Sequence, residues 1–398
     1  MGQNETSGGI WAAARSGAWL NPQRVRVYLW LLALANGLSL AWLLITARGG
    51  LDPQGRLLGT DFVSFWAAGQ VIQAGGNPYD PAVHAAAQGV VWPNQTGYTA
   101  FYYPPLFLLW CWLLGLTGYF TALTGWLLAT GSAFLLVVRE WAWRINWLAL
   151  AAFPPLLISL THGQTSLLLA ALLGGGFLCA VRGQVAMAGL LFGLAAFKPQ
   201  FGLLVPVVLI AARQWRVIGW AGVTVVASMA LSSLAFGPGI WSQWLDSASP
   251  AQAAMAGGAI GFGKMQSLFA GLRLIGVPVG AAYAAQGFLG FSVAALLARV
   301  AWQRGLTRDV AAAALTGALL ATPFVLDYDF VLLAFPLIVL VQGAAMPWER
   351  TIAALAFAVP AFARPLGVLI GVPIAPVIVL ALFVVLLRRA GHQTGPAR

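Results

Sequence analysis

The sequence predicts an all-α polytopic membrane protein. Of the 398 residues, 60% are hydrophobic and 8% are charged, whereas soluble domains carry about 25% charged residues. Apolar runs long enough to cross a bilayer recur from residue 27 to residue 387, and no polar stretch between them is large enough for a soluble domain. We therefore expect one membrane domain covering residues 1–398.

About twelve membrane spans are expected from the apolar runs. The first is residues 27–46, and Arg15, Arg24 and Arg26 before it place the N-terminal segment 1–26 in the cytoplasm by the positive-inside rule. This first run has no clear cleavage site, so we expect it to remain as a helix. The later spans are expected at residues 104–138, 145–160, 165–181, 185–197, 199–212, 217–236, 278–298, 309–323, 330–345, 351–363 and 370–387.

The number of crossings within residues 104–138 decides the topology. Hydropathy allows one crossing or two helices divided at the sequence GLTGY. A single crossing places fifteen of the 21 Lys and Arg residues on the cytoplasmic side, which the positive-inside rule favours. Both termini, including a tail at 388–398, are then cytoplasmic, and residues 47–103 and 237–277 form two long external loops. The six basic residues outside are Arg48, Arg56, Lys198, Lys264, Arg273 and Arg364.

The charge distribution and the missing motifs exclude several classes of function. The positive-inside rule explains the net charge of +11, so nucleic-acid binding is not needed to account for it. Cys111 and Cys179 lie in apolar runs and indicate neither a disulfide nor a metal site. No Walker loop, HExxH, GxSxG or zinc spacing supports ATP-driven transport or protease chemistry. Six of the ten acids fall outside, so we expect chemistry there: Asp52, Asp61, Asp80, Asp246, Asp327 and Asp329.

The stretch LLGTDFVSFWAAG places one acid, Asp61, beside aromatic residues in the first external loop. Phe62, Phe65 and Trp66 predict the apolar face of a short juxtamembrane helix lying along the membrane surface. Asp61, or Thr60 before it, suits the N-cap of that helix. The alternative is that the Asp61 carboxylate acts on a substrate.

Three more external motifs carry polar or aromatic candidates. GGNPYDP is typical of a helix stop and a turn, and its Tyr79 and Asp80 are candidates for a sugar site. YYPPL, with Tyr103, is typical of a helix entering the membrane. In THGQTS, His162 and Gln164 are either structural hydrogen-bonding groups or ligands for a phosphate and for sugar hydroxyls.

Lys198, in FKPQF, is surrounded by apolar residues. An ammonium at membrane depth costs several kcal/mol unless it is paired or hydrated, so such a residue is a functional candidate. The alternative is that its side chain extends to the outer headgroups.

The later external segments contain two acids and a further base. Asp327 and Asp329 flank Tyr328 in a spacing that resembles a metal-binding pair, although on a helix they would lie on different faces. One of them is also a candidate ion-pair partner for Lys198 or for Arg273. In GKMQSLF, Lys264 and Gln266 are either site residues or interfacial anchors.

Taken together and in order, these motifs resemble glycosyltransferase family 87 (GT87), whose members use polyprenyl-phosphate sugars and have the GT-C membrane fold. The resembling stretches run from residue 61 to residue 334: DFVSFWAAGQVIQAGGNPYDP, YYPPLFLL, HGQTSLLLAALL, FKPQFGLL, QSLFAGLRLIG and TPFVLDYDFVLLA. Better-studied mannosyltransferases of the family have histidine and tryptophan where this chain has Leu326, Asp327, Tyr328 and Asp329. The resemblance therefore leaves the donor sugar and the acceptor open.

The resemblance implies transfer of mannose or another hexose from a polyprenyl-phosphate donor to a lipid or glycan acceptor, with inversion. The acid of the first external loop would be the general base, which is Asp61 here. Lys198, His162, Gln164 and Lys264 are the expected donor and phosphate ligands. The expected substrate-binding residues are Tyr79, Asp80, Tyr103, Gln266, Asp327, Tyr328 and Asp329.

The same resemblance implies a multi-pass protein of the bacterial inner membrane, with its active site on the periplasmic face. No cofactor is required, and a divalent metal is possible but not needed if cationic side chains supply the charge. The expected partners are the lipid-linked donor, the acceptor and membrane lipids. The alternative function is a transporter or flippase for a lipid-linked sugar, which would move its substrate without forming a glycosidic bond.

Overall fold

The computed structural model describes residues 6–93 and 98–392. The remaining residues, 1–5, 94–97 and 393–398, lie outside the described part of the chain. They belong to the predicted N-terminal segment, the first external loop and the predicted C-terminal tail, respectively. Within the described ranges the chain forms helices and no β-strand, so the expected all-α class is confirmed.

The α-helices are numbered in chain order. They are α1 Thr6–Ser16, α2 Pro22–Thr46, α3 Phe62–Gln73, α4 Pro81–Gly89, α5 Pro105–Leu114, α6 Tyr119–Trp141, α7 Trp147–Ala152, α8 Pro154–His162, α9 Ser166–Val181, α10 Val185–Leu194, α11 Pro199–Gly202, α12 Leu204–Ala211, α13 Trp215–Phe236, α14 Gly239–Ala256, α15 Leu268–Leu274, α16 Val279–Arg304, α17 Arg308–Ala321, α18 Ala334–Gln342, α19 Glu349–Ile370 and α20 Ala375–His392. Three 3₁₀ helices of the described ranges cover Ala195–Phe197, Phe262–Lys264 and Asp327–Leu333.

Six helices in the described ranges are long and apolar enough to cross a membrane, namely α2, α6, α13, α16, α19 and α20. This is the pattern of a polytopic membrane protein. Four predicted spans, 145–160, 185–197, 199–212 and 330–345, each consist of two shorter helical pieces. In the first, Pro154 begins a new helix, since proline lacks the N–H that would continue the preceding one. The total of about twelve spans stays a prediction.

The segment 104–138 is divided into α5 and α6 at residues 115–118. With 23 residues, α6 is long enough to cross a membrane by itself. The ten-residue α5 packs along α3 instead. Gln70 and Gln73 of α3 donate hydrogen bonds of 2.6 and 2.7 Å to the carbonyl oxygens of Gly115 and Trp112. These bonds satisfy carbonyl groups that the end of a helix leaves unpaired.

The helix predicted in the first external loop is present as α3, but its aromatic face packs against protein and is not open to lipid headgroups. All residues from Phe62 to Gly69 are buried. Trp66 donates from Nε1 to the carbonyl oxygen of Thr117 at 2.9 Å and does not face outward. A Cβ atom at Gly69 would overlap the carbonyl oxygen of Cys111, so the two helix backbones touch. Apolar residues on every side of α3, not on one face only, explain why protein encloses it.

A buried histidine fastens α4 to α3. His84 Nε2 donates to the carbonyl oxygen of Ser64 at 2.9 Å, and Nδ1 accepts from the Tyr98 hydroxyl at 3.1 Å. Burial lowers the pKa of His84 to about 4, so the ring is neutral at physiological pH. The sequence motifs do not single out this residue.

The charged contacts around α19 lie at two separate levels of the helix. At its start, Arg389 contacts Asp309 at 3.0 Å and Glu349 at 2.9 Å. Arg364, fifteen residues further along α19 than Glu349, is about 22 Å away at the rise of an α-helix. The first level belongs to the end predicted to be cytoplasmic, and the second belongs to the end that carries the candidate site.

Candidate functional site

A cavity of about 770 Å³ opens where the predicted external ends of several helices meet. It is lined by α2, the loop before α3, α8, the second long loop, the 3₁₀ helix Asp327–Leu333 and α19. Five of the predicted site residues line it together: Asp61, His162, Lys264, Asp327 and Tyr328. These residues lie far apart in the sequence, so the fold brings them to one space.

Asp61 occupies the N-cap position of α3, but its side chain does not cap the helix. The carboxylate oxygen Oδ2 instead accepts a hydrogen bond of 2.9 Å from Gln164 Nε2. The backbone N–H of Asp61 donates to the carbonyl oxygen of His162 at 3.1 Å, which fixes this loop against the end of α8. The capping interpretation of Asp61 is therefore wrong, and its carboxylate is directed to the cavity.

His162 ends α8 and lines the cavity next to Asp61. Its Nδ1 lies 2.9 Å from the carbonyl oxygen of Ile158 and must donate a proton to it. The other ring nitrogen, Nε2, is thereby left for a ligand. Gly163, which follows, has a φ of 65°, a left-handed conformation that glycine adopts without strain. This turn lets the chain reverse and bring Gln164 to Asp61.

Gln164 lies behind Asp61, is 5% exposed and does not line the cavity. Its amide oxygen accepts from the Thr165 N–H at 2.9 Å and from the Tyr103 hydroxyl at 3.4 Å. The Tyr103 hydroxyl also lies 3.1 Å from Thr165 Oγ1, and burial raises its pKa. Gln164 and Tyr103 thus form a supporting layer, which the structure places away from a direct sugar contact.

The second long loop contributes Lys264 through a short pairing with the chain before the 3₁₀ helix Asp327–Leu333. Met265 forms a β-bridge with Leu326, and the Gln266 N–H donates to the carbonyl oxygen of Val325 at 2.7 Å. Gln266 Nε2 donates to the carbonyl oxygen of Lys264 at 3.2 Å. Gln266 therefore holds the loop, while the exposed Lys264 side chain faces the cavity.

Asp327 pairs with Arg364, which the sequence motifs do not select as a site residue. Arg364 Nη1 lies 3.2 Å from Asp327 Oδ2, and both residues line the cavity. The Arg364 side chain is 33% exposed, whereas that of Asp327 is 4% exposed, so the guanidinium is open to a ligand. The signal in the sequence is an arginine inside an apolar run on the predicted external side.

Asp329 and Lys198 form a buried ion pair outside the cavity. Lys198 Nζ lies 3.0 Å from Asp329 Oδ1, and the side chains are 7% and 2% exposed. The ammonium also lies 5.6 and 5.3 Å from the ring centres of Phe201 and Tyr328. The expected phosphate contact of Lys198 therefore conflicts with the structure, in which a carboxylate and two rings already occupy its surroundings. The alternative prediction, that one of the two acids pairs with Lys198, is met by Asp329.

Asp327 and Asp329 have separate ion-pair partners. Asp327 and Asp329 contact different cations, Arg364 and Lys198, as expected for side chains on different faces. In the part of the chain that the structure describes, no group of three or more His, Cys, Asp or Glu residues is placed to hold a metal ion.

Tyr79 and Asp80 do not reach the cavity. The Tyr79 hydroxyl donates to the carbonyl oxygen of Tyr103 at 2.9 Å, and burial raises its pKa. Asp80 caps α4 by accepting from the N–H groups of Ala82 and Val83 at 2.8 and 3.2 Å. Both residues support the fold of the first external loop, and the structure does not bring them to a sugar site.

The helix α2 forms an apolar wall of the cavity. From the sequence, this segment is predicted only as a membrane span. Leu38, Ser39, Trp42 and Leu43 line this side. None of the residues of α2 is buried, so the helix lies at the periphery of the bundle. The cavity thus has a charged side and an apolar side that borders the membrane-facing helix.

Comparison with known families matches residues 101–323 to the sequence model of glycosyltransferase family 87. The match covers more than half of the 398 residues. Comparisons with curated proteins and with solved structures give no match. The matched range includes His162, Gln164, Lys198 and Lys264 and contains four of the six resembling stretches in full, whereas Asp61 and the acids Asp327 and Asp329 lie outside it. The chain belongs to glycosyltransferase family 87 and is a membrane glycosyltransferase.

Proposed function

We propose that the protein transfers a hexose, such as mannose, from a polyprenyl-phosphate donor to a hydroxyl group of a lipid or glycan acceptor. The observation that carries this proposal is the composition of one cavity, in which Asp61 and His162 share a space with Lys264 and Arg364 and with the apolar wall of α2. The charged lining comprises three carboxylates, those of Asp52, Asp61 and Asp327, and three cations, those of Arg56, Lys264 and Arg364. A carboxylate for proton transfer, cations for a phosphate and an apolar side match the needs of a sugar linked to a lipid phosphate.

The apolar wall supports a lipid-linked donor over a nucleotide sugar. Trp42 and its apolar neighbours line the cavity from a helix that has no buried residue. A polyprenyl chain in the membrane can lie against this helix, where apolar contact contributes about 25 cal/mol per Å² of surface removed from water. The charged end of the donor then reaches the opposite side of the cavity.

Lys264 and Arg364 are the proposed ligands of the donor phosphate, in place of Lys198. Both line the cavity, and the Arg364 guanidinium is partly exposed beside Asp327. Arginine is suited to bidentate contact with phosphate oxygens, and lysine contributes a point charge. His162 Nε2 is a third ligand for the phosphate or for the acceptor hydroxyl.

Asp61 is the proposed general base. Its carboxylate takes the proton of the acceptor hydroxyl as that oxygen attacks the anomeric carbon, which requires an approach of about 2.6–3.2 Å. The new carbon–oxygen bond forms while the bond to the phosphate oxygen breaks, and the electron pair leaves with the phosphate. The two cations stabilise this developing negative charge. A direct displacement of this kind inverts the anomeric centre.

The proposed side of the reaction is the external face of the bacterial inner membrane. The support is the distribution of basic residues, fifteen of 21 on the opposite side in the proposed topology. A lipid phosphate flipped to the external leaflet is a donor that requires no nucleotide at that face.

The deciding experiment is Asp61→Asn in purified protein supplied with a polyprenyl-phosphate hexose and a membrane lipid extract. We expect turnover to fall by about 10²–10⁴-fold, the contribution typical of general-base catalysis, with unchanged thermal stability. Asp80→Asn is the matched control, because Asp80 caps α4 outside the cavity and asparagine is also a good cap. Normal turnover of Asp61→Asn would refute the base assignment, and mass spectrometry of the extract would identify the acceptor.

A further inference from the structure

The Asp61 carboxylate has one hydrogen-bond partner among the described residues, the side chain of Gln164. Gln164 Nε2 lies 2.9 Å from Asp61 Oδ2. The second carboxylate oxygen, Oδ1, makes no hydrogen bond within the described ranges. Because Asp61 lines the cavity and Gln164 does not, the amide approaches the carboxylate from behind and leaves the front open.

The orientation of the Gln164 amide is determined by its other contacts. Its oxygen accepts from the Thr165 N–H at 2.9 Å and from the Thr165 hydroxyl at 3.3 Å. The Tyr103 hydroxyl lies 3.4 Å from the same oxygen. Rotating the amide by half a turn would place its NH₂ group against the backbone donor of Thr165. The NH₂ group must therefore face Asp61, where it can only donate.

We propose that Gln164 is a positioning residue that orients the Asp61 carboxylate for proton abstraction. This inference rests on the proposed function of Asp61 as the base. A fixed donor at Oδ2 stabilises the charged form over the protonated form, because a protonated carboxyl loses acceptor strength there. It also holds Oδ1 towards the acceptor hydroxyl. Gln164 thus acts through Asp61 and does not touch the substrate.

Other ionisable groups surround Asp61 and remain unchanged in a Gln164 variant. His162 contacts the Asp61 N–H through its carbonyl oxygen. The titratable groups that act on Asp61 or share its cavity are Asp52, Arg56, Tyr103, Tyr119, His162, Lys198, Lys264, Asp327, Tyr328 and Arg364. A difference between wild type and variant therefore reports the loss of the amide together with its contacts to Thr165 and Tyr103.

The test reads the protonation of Asp61 directly and needs no substrate. A hydrophobic carbodiimide modifies carboxyl groups in their protonated form, and peptide mass spectrometry measures the modified fraction of Asp61 as a function of pH. We expect Gln164→Leu to raise the pH of half-maximal modification by about one unit, the size of effect that one lost hydrogen bond to a carboxylate produces. The acidic limb of the kcat profile should move in the same direction.

Gln164→Glu provides the second variant and retains an acceptor for the Thr165 N–H. It places a second carboxyl beside Asp61, and two facing carboxyls share a proton, so the half-modification pH should rise further than in Gln164→Leu. The matched control is Gln286→Leu, which removes another buried amide whose contacts are the Phe269 N–H and the Leu320 carbonyl. This control should leave the Asp61 midpoint at the wild-type value.

The outcomes separate this inference from the proposed function. Equal midpoints in wild type and both Gln164 variants would overturn the positioning role, whatever the activity of Asp61→Asn. If the pH of half-maximal modification rises in the Gln164 variants but Asp61→Asn turns over normally, Gln164 does influence the Asp61 carboxylate. Asp61 is then not the catalytic base. If Gln164→Leu does not fold, the comparison of Gln164→Glu with wild type decides the matter.

Discussion

Replacing Lys198 by methionine tests whether this residue supports the fold or binds the donor phosphate. Its ammonium lies 3.0 Å from Asp329 Oδ1, and both side chains are buried. Two unit charges at this separation attract by about 5 kcal/mol at an effective dielectric constant of about 20. The variant leaves the Asp329 carboxylate without its cation, and breaking a buried pair in this way costs about 3–5 kcal/mol.

For Lys198→Met we expect a loss of stability at the lower end of the range of about 3–5 kcal/mol. Asp329 Oδ2 retains the hydrogen bond of 3.0 Å from the Leu326 N–H, and the stranded carboxylate can take up a proton. We therefore expect Lys198→Met to lower the free energy of unfolding by about 3 kcal/mol. Thermal unfolding in detergent, followed by fluorescence of the 18 tryptophans, measures the change.

The double variant Lys198→Met with Asp329→Asn separates the two roles. It removes both charges, and a buried pair replaced by neutral groups of similar size is often close to neutral in stability. We expect each single variant to be unstable and the double variant to recover most of the loss. Because Lys198 does not line the cavity, the donor KM of the double variant should stay within about threefold of the wild-type value.

Two results would refute this account of Lys198. If Lys198→Met unfolds at the wild-type temperature, the ion pair contributes nothing to stability. If the double variant is stable but its donor KM rises tenfold or more, one or both of Lys198 and Asp329 bind the donor, and the purely structural account of this ion pair is refuted.

The two remaining predictions concern the phosphate site and the buried histidine. Lys264→Met should raise the donor KM about tenfold, because a charge-assisted contact to phosphate is lost. The control Arg48→Met, on the same predicted side but outside the cavity, should leave the donor KM unchanged. Equal donor KM values for Lys264→Met and the wild type would contradict the assignment. Burial lowers the pKa of His84 to about 4, so the unfolded chain binds the extra proton first as pH falls. Its stabilisation is complete above about pH 6.5 and is lost towards pH 4, up to about 3 kcal/mol. Unfolding temperatures between pH 4 and 7.5 should depend less on pH in His84→Gln, and an unchanged slope would refute the role.

Much of the architecture could be predicted from hydropathy. Apolar runs predicted the long helices because a bilayer imposes the same length and polarity on every span. The aromatic stretch after Asp61 predicted α3 correctly. Its burial could not be predicted, since hydropathy measures how apolar a segment is and not whether lipid or protein covers it.

The candidate site was only partly predictable. Acids and bases on one expected side of the membrane identified Asp61, His162, Lys264 and Asp327, which do line one cavity. The same reasoning assigned Lys198 a ligand role, although its partner is Asp329, 131 positions away in the chain. It missed Arg364, although a cation within an apolar run is the same signal that selected Lys198.

The sequence alone determined the class of the protein, since composition, apolar run length and ordered motifs are properties of the chain itself and are sufficient to identify a membrane glycosyltransferase. Only the tertiary structure decided which charges remain available to a substrate. Lys198 and Lys264 both occur in predicted external segments, yet one is neutralised by Asp329 in the protein interior and the other is exposed in the cavity. The physical reason is that ion pairing depends on distances across the fold, which neither hydropathy nor local spacing encodes.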